Sequence, residues 1–351
     1  MLIIKPIAML KKISAVCIGI LGLVIVNAQT DSSKKATTTF TGSVDGYYRF
    51  NFNAPPGATN NLTSFTNSSS SFELGMASIK VDHTVGKVSA TADFGFGRRA
   101  QEFSYNDVGT TLTAVKQAYI SYAPSDKVKF TIGKWATHIG WELLDAYANR
   151  NYSMSYGFSY GPFFHTGLKA DFVLGAKSAL MVGVANPTDY VSAPNSVKVV
   201  IAQFSTGTAN DKLKAYLNFQ GGTGLTHFNL VVNGTLSDKV SLVYDGNLQS
   251  TKQGTTNSSW KSHAVYLNYD PTKMLGWTLR ADYFDDRKIN ALIPGANKIF
   301  AATLSANAKV DNLTIIPELR LDSGDGAIFT KDKGIATKST LSFILAAVYK
   351  F

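Results

Sequence analysis

The chain has 351 residues, of which 45% are hydrophobic, 17% charged and 12% aromatic, and its formal net charge is +10. A charged fraction well under the ~25% usual for soluble domains argues against an ordinary soluble enzyme. The single cysteine, Cys17, excludes an internal disulfide and a thiolate metal site. The basic excess is scattered rather than gathered into a run, so nucleic acid is not an expected partner.

Taken from the N-terminus, Lys5, Lys11 and Lys12 precede an apolar run from Ile13 to Val26, and Val26-Asn27-Ala28 offers a cleavage site. Residues 1–28 read as a signal peptide and Gln29 as the first mature residue. Cleavage would remove Cys17 and three lysines, leaving +10 − 3 = +7. Residues 29–38 read as a polar periplasmic segment and 39–351 as a single barrel domain. No later apolar run is long enough for a transmembrane helix.

From Phe40 the dominant pattern has a period of two. Phe40, Gly42, Val44, Gly46, Tyr48, Phe50 and Phe52 alternate with Thr41, Ser43, Asp45, Tyr47, Arg49 and Asn51. Successive strand side chains point to opposite faces, so one face is apolar and the other wet. The pattern predicts strands at Phe40–Phe52, Phe72–Asp82, Val88–Phe96, Leu112–Tyr122, Val128–Lys134, Phe164–Leu174, Leu180–Asn186 and Val197–Ser205. It continues at Leu213–Phe219, Phe228–Leu236, Val240–Leu248, Val265–Tyr269, Trp277–Tyr283, Phe300–Val310, Leu313–Leu321 and Leu341–Phe351. A phase slip after Met76 predicts a bulge near Ala77.

Short links such as Thr84–Lys87 and Asp311–Asn312 alternate with longer ones: Asn53–Ser71, Arg98–Thr111, Trp135–Gly161, Pro187–Ser196, Gly221–Thr226, Ser250–Ser259, Arg287–Asn297 and Ser323–Ala336. Short periplasmic turns and long outer loops are the arrangement of an even-stranded outer-membrane barrel. The predicted fold is all-β: a transmembrane antiparallel up-and-down barrel of about sixteen strands, exported to the outer membrane of a Gram-negative-type cell. Aromatics near the strand ends, among them Phe50, Phe52, Phe96, Phe164 and Tyr283 on the loop side, suggest interfacial girdles.

The longest link, Trp135–Gly161, is rich in aromatic residues and carries charges of both signs. It belongs to a longer stretch with four recognisable pieces: Gly133-Lys134, Ile139-Gly140-Trp141-Glu142, Asn149-Arg150-Asn151-Tyr152-Ser153 and Pro162-Phe163-Phe164-His165-Thr166-Gly167. This combination resembles the signature of the β-barrel porin-2, OmpL-like family. The closing Leu341–Phe351 strand, ending on an aromatic, also looks like the last strand of outer-membrane barrels. The resemblance implies a porin fold and leaves the solute open.

A long insert after the fifth strand is expected to fold into the lumen, with His138, Glu142, Asp145 and Arg150 at the pore constriction. Strand parity places Asp45, Arg49, Asp93, Lys129, His165, Lys169, Asp171, Arg280, Asp282, Glu318 and Arg320 on the lumen wall, and also points His227 and His263 inward. None of His83, His138, His165, His227 and His263 forms a spaced metal-binding pair. No serine stands out as a nucleophile, so no enzyme, metal or cofactor is predicted. The expected partners are outer-membrane lipid and small hydrophilic solutes, and a homo-oligomer is compatible with the pattern. Two functions remain open: a water-filled diffusion channel, or a closed barrel used as a surface anchor or adhesin. The polar loop Asn53–Ser71 is the segment such an adhesin would display.

Overall fold

The computed structural model describes residues 35–57, 60–107, 109–222, 224–288 and 292–351. The predicted signal peptide and residues 29–34 lie outside the described residues. Alternating apolar and polar residues form β1 (Ala36–Asn51), β2 (Ser71–Val85), β3 (Val88–Phe96), β4 (Val115–Ser125), β5 (Val128–Ala136), β6 (Phe164–Gly175), β7 (Ser178–Ala185) and β8 (Val199–Gly207). The series continues with β9 (Leu213–Gly222), β10 (Leu225–Ser237), β11 (Val240–Gln253), β12 (Thr256–Tyr269), β13 (Leu275–Lys288), β14 (Lys298–Val310) and β15 (Leu313–Gly324). A small ribbon, β16 (Phe329–Thr330) and β17 (Ala336–Thr337), precedes β18 (Ser339–Lys350), which pairs with β1 and closes an antiparallel barrel of sixteen strands.

Closure leaves the barrel wall without a free edge, which a membrane-spanning sheet requires. The outward row is apolar and exposed, as at Phe40, Val44 and Phe50 of β1. The inward row between them, Ser43, Asp45, Tyr47, Arg49 and Asn51, is buried. No described helix is long and apolar enough to cross a membrane; the strands do so instead.

The bulge lies at Gly75, close to its predicted place: Asp45 pairs with Met76 and Gly46 with Leu74. A Cβ on Gly75 would stand 1.9 Å from Asp45 Oδ2 and 2.5 Å from the Tyr152 hydroxyl. The missing side chain makes room for the hydrogen bond that Tyr152 donates to Asp45.

Several expectations change in detail. β1 starts at Ala36, so residues 36–38 belong to the barrel rather than to a periplasmic segment. The links after β9 and β11 are tight, because polar residues such as Ser250, Thr251, Ser258 and Ser259 continue the β10–β11 and β11–β12 ladders. Residues 98–113 contain two short helices, α1 (Arg98–Phe103) and α2 (Thr110–Thr113), so β4 begins at Val115 rather than Leu112.

His263 faces outward, not into the lumen. It lies between the buried Ser262 and Ala264, bonds to the Tyr244 hydroxyl at 2.8 Å and stacks on Tyr283. Phe164 is fully buried instead of joining a girdle. Beyond Lys134, β5 has no β4 partner, and there the β5–β6 hairpin is covered on both faces. Gly133 adopts φ +136°, and a Cβ there would meet the Ala118 carbonyl at 2.2 Å, so this departure from the wall requires glycine.

Candidate functional site

The segment joining β5 to β6 carries a single 3-10 turn, Ala146–Ala148, and one short helix, α3 (Tyr156–Tyr160). Most of its backbone is irregular. Irregular backbone at membrane depth persists only where other groups satisfy its N–H and C=O atoms, and here charged side chains from the wall and a neighbouring loop do so. Glu318 of β15 accepts from the Tyr152 and Ser153 amides at 2.8 and 3.1 Å. Arg280 of β13 donates to the Ser153 and Met154 carbonyls at 2.6 and 3.2 Å, and Arg320 of β15 reaches Met154 O at 2.7 Å. Arg99 of α1 donates to Leu144 O and Tyr152 O while lying 4.9 Å from the ring centres of Phe65 and Tyr152.

The four residues expected at the constriction reach four different places. His138 Nε2 meets Phe219 O of β9 at 3.1 Å. Glu142 is buried, pairs with Arg280 at 2.7 Å and accepts from the Ser155 amide at 2.8 Å. Asp145 pairs at 2.6 Å with Lys116 of β4, which also holds Asp93 of β3 at 3.1 Å. Arg150 binds Asp270, in the turn between β12 and β13, at 2.7 and 3.1 Å. That turn is one of the short ones, which face the periplasm in outer-membrane barrels; at the same end is Lys350 of β18, whose ammonium lies 4.5 Å from the Tyr147 ring. Around the ring β4 and β13 are seven strands apart one way and nine the other. The insert therefore touches nearly opposite walls and reaches the periplasmic mouth.

The predicted wall residues divide into two groups. Asp45, Arg49, Asp93, His165, Arg280, Asp282, Glu318 and Arg320 are buried. Within this group Arg280 pairs with Asp282 at 2.8 Å, Arg320 pairs with Asp322 at 2.9 Å, and Arg49 donates to Ser68 O at 2.6 Å. Lys129, Lys169 and Asp171 stay partly exposed, with Asp171 3.9 Å from Lys129 and 3.4 Å from Lys169.

Sequence reasoning missed Arg99, Lys116, Lys134, Asp107, Asp189 and Asp245. Asp245 shares the inward parity of Val243 and accepts from the Trp141 amide at 2.9 Å, so alternation alone could have found it. Lys116 sits beside a register shift that breaks parity, and Arg99 lies on a loop helix where parity carries no information. Lys134 is buried against Asp107 and Ser104, both at 3.0 Å, with its ammonium 3.9 Å from the Phe164 ring centre.

The outer end of the lumen is packed by other loops. Phe65, Phe103, Leu144, Met154, Phe158, Phe163 and Phe164 form one buried apolar cluster. In the loop expected to be displayed, Thr63, Phe65, Thr66 and Ser68 are buried, and Phe65 N donates to Glu102. That segment packs inward because its one large aromatic finds the insert's Phe158 and Phe163. Asp189, in the loop between β7 and β8, accepts from the Phe163 and Phe164 amides at 2.7 and 2.9 Å and from the Tyr105 hydroxyl at 3.2 Å. Burial outweighs these bonds and pushes its carboxyl up to about 7.

A closed sixteen-strand wall with an inward insert is a porin arrangement, and the sequence agrees. The family model described as "Putative beta-barrel porin-2, OmpL-like" matches residues 37–351. The chain belongs to that family. This porin is also similar in fold to solved outer-membrane proteins. The channel DcaP of Acinetobacter baumannii is 14% identical, with a TM-score of 0.60 over 90% of this chain and 97% of that one. The anion-selective porin of Comamonas acidovorans is 11% identical, with a TM-score of 0.62 over 90% and 100%. OmpT of Vibrio cholerae in its trimer form is 11% identical, with a TM-score of 0.60 over 90% and 99%. No curated protein sequence matches the chain. The porin's place is the outer membrane.

Proposed function

We propose that this porin is a diffusion channel for small hydrophilic solutes and ions, and that the segment 137–163 sets its constriction. A barrel of sixteen strands is wide enough to hold an aqueous lumen. The observation that carries the reading is the pair of ion contacts made by one segment on nearly opposite walls, Asp145 with Lys116 and Glu142 with Arg280. In this reading His138, Glu142, Asp145 and Arg150 fix the segment's position, and the passage runs beside it along the partly exposed Lys129, Lys169 and Asp171. The inward positions Lys80, Asp82 and Lys214 extend this wetter surface. Lysines outnumber aspartates there, which favours anions weakly.

The inward packing of Phe65 and its neighbours weighs against display of the 60–70 part of that loop as an adhesin. Cleavage after Ala28 and assembly into a homo-oligomer complete the proposal; the mass of the outer-membrane protein and light scattering in detergent check them. The main test is reconstitution in planar bilayers under a salt gradient. Stepwise ion conductance with a modest anion preference is expected. A protein that inserts as a folded barrel and conducts no ions would overturn the channel reading.

A further inference from the structure

On the outer face of the wall, toward the end of β10–β13 where the longer loops lie, runs an open groove lined by Phe228, Leu248, Ser250, Ser259, Lys261 and Asp285, among others. Phe228 pairs in register with Leu248, Leu248 with Lys261, Lys261 with Asp285, and Asp285 with Lys298 of β14. Directly opposed residues share a face of the sheet, so these five form one outward row. The row changes character along its length. Phe228 and Leu248 are apolar and 47% and 56% exposed, whereas Lys261, Asp285 and Lys298 are charged.

At the same end of β1, β3 and β15 the outward residues are the exposed, apolar Phe50, Phe96 and Leu321. Charge on the lipid side is disfavoured at depth and tolerated near the interface, so the charged half of the row belongs at the headgroup layer. Asp285 is occupied within the wall: its side chain is 3% exposed and accepts from the Tyr283 hydroxyl at 3.1 Å. Lys261 is 43% exposed and lies 3.7 Å from Asp285, too far for a hydrogen bond. Its ammonium is therefore open to the headgroup layer, and Lys298 is exposed at the outer end of β14. Two lysines against one aspartate leave the row positive.

We propose that this groove binds a phosphorylated acyl glycolipid of the outer leaflet, of the lipid A kind. The inference goes beyond the channel reading and does not need the barrel to conduct. A phosphate only accepts, and the Lys261 ammonium and the hydroxyls of Ser250 and Ser259, register partners in the groove, are donors. Acyl chains lie along Phe228, Leu248 and Leu230, the last 40% exposed and two residues further into the wall. Lys298 is two strands from Lys261, about 10 Å at ~4.8 Å per strand, and meets the rest of the headgroup. A free phosphate would leave the apolar half of the row uncovered. A second copy docking here through its β1, β3 or β15 face would set the lysines against Phe50, Phe96 or Leu321.

The test is native mass spectrometry of the detergent-purified barrel titrated with diphosphoryl lipid A and, separately, with the same lipid stripped of its phosphates. The phosphorylated lipid is expected to form a saturable adduct at a several-fold lower concentration than the stripped one, and millimolar inorganic phosphate should not displace it. Lys261→Gln should raise the half-saturation concentration several-fold and Lys298→Gln less, while Lys177→Gln, in a short turn at the other end of the barrel, should leave it unchanged. Equal binding of the two lipids by the wild-type protein would overturn the proposal without recourse to any variant. So would wild-type affinity in a folded Lys261→Gln, Lys298→Gln double variant. If that double variant instead loses an oligomer mass while binding lipid as before, the face belongs to a second copy of the chain and the proposal fails.

Discussion

Two walls of the barrel carry the same strand pattern and meet different surroundings. Along β13, β15 and β1 the inward charges Arg280, Asp282, Glu318, Arg320, Asp45 and Arg49 are buried beneath the insert and its neighbouring loops. Along β5 and β6 the inward charges Lys129, Lys169 and Asp171 remain partly in water. On the first wall every charge helps satisfy irregular backbone or a buried countercharge. On the second the charges pair loosely and keep contact with water. Parity assigns a residue to the lumen, but what covers the lumen decides whether that residue holds structure or meets solute.

Three substitutions sharpen this contrast. Glu142→Gln should have the largest effect. It leaves the fully buried Arg280 with only Asp282 as a countercharge, and breaking a buried pair costs about 3 kcal/mol or more. Urea unfolding of the reconstituted barrel measures the loss; a change below about 1 kcal/mol would mean that the pair is effectively hydrated.

Asp189 should act next, through pH. Its carboxyl is raised to about 7 from the ordinary carboxylate value of 3.8, so the native loop retains a proton that the unfolded chain has lost. The stabilisation is fully present below the unfolded value and is lost as pH rises through about 7. The effect is limited by the cost of lifting the loop, since a lifted Asp189 simply hydrates. Proteolysis in the 186–198 loop should therefore accelerate between pH 5 and 8 in the wild type and stay flat in Asp189→Asn. Equal pH dependence in both would remove Asp189 as the cause. Arg150→Ala should do least. Its pair with Asp270 is well exposed, at 30% and 42%, and such pairs contribute under about 1 kcal/mol. A loss as large as that of Glu142→Gln would show that the periplasmic end of the insert is sealed rather than wet.

Much of the wall was legible in the sequence because a membrane barrel repeats one constraint at every strand: alternate residues must suit lipid. That constraint marked Asp45, Arg280, Glu318 and Arg320 as inward. It failed wherever the chain left the ladder or changed phase. Serines and threonines at the ends of β10, β11 and β12 look like loop residues, yet their backbones pair. Phe164 and His165 have opposite parity and are both buried, because covering of both faces replaces the lipid–water alternation there. Arg99 on α1 and Asp189 in a loop depend on long-range contacts that no local period encodes. The insert's character as a lumen segment was readable from its aromatics; its particular partners, Lys116 and Asp270 among them, were not.

The central claim is that the segment crossing from β5 to β6 narrows the conducting path. Deleting residues 136–160 and comparing single-channel conductance in planar bilayers tests it most directly. The mutant barrel must first show the heat-dependent gel migration and strand-rich circular dichroism of the folded wild type. The account predicts a conductance several-fold above wild type, with weaker discrimination between anions and cations. A folded, inserted deletion mutant with wild-type conductance would contradict it, and would assign the constriction to the loops packed over the outer mouth.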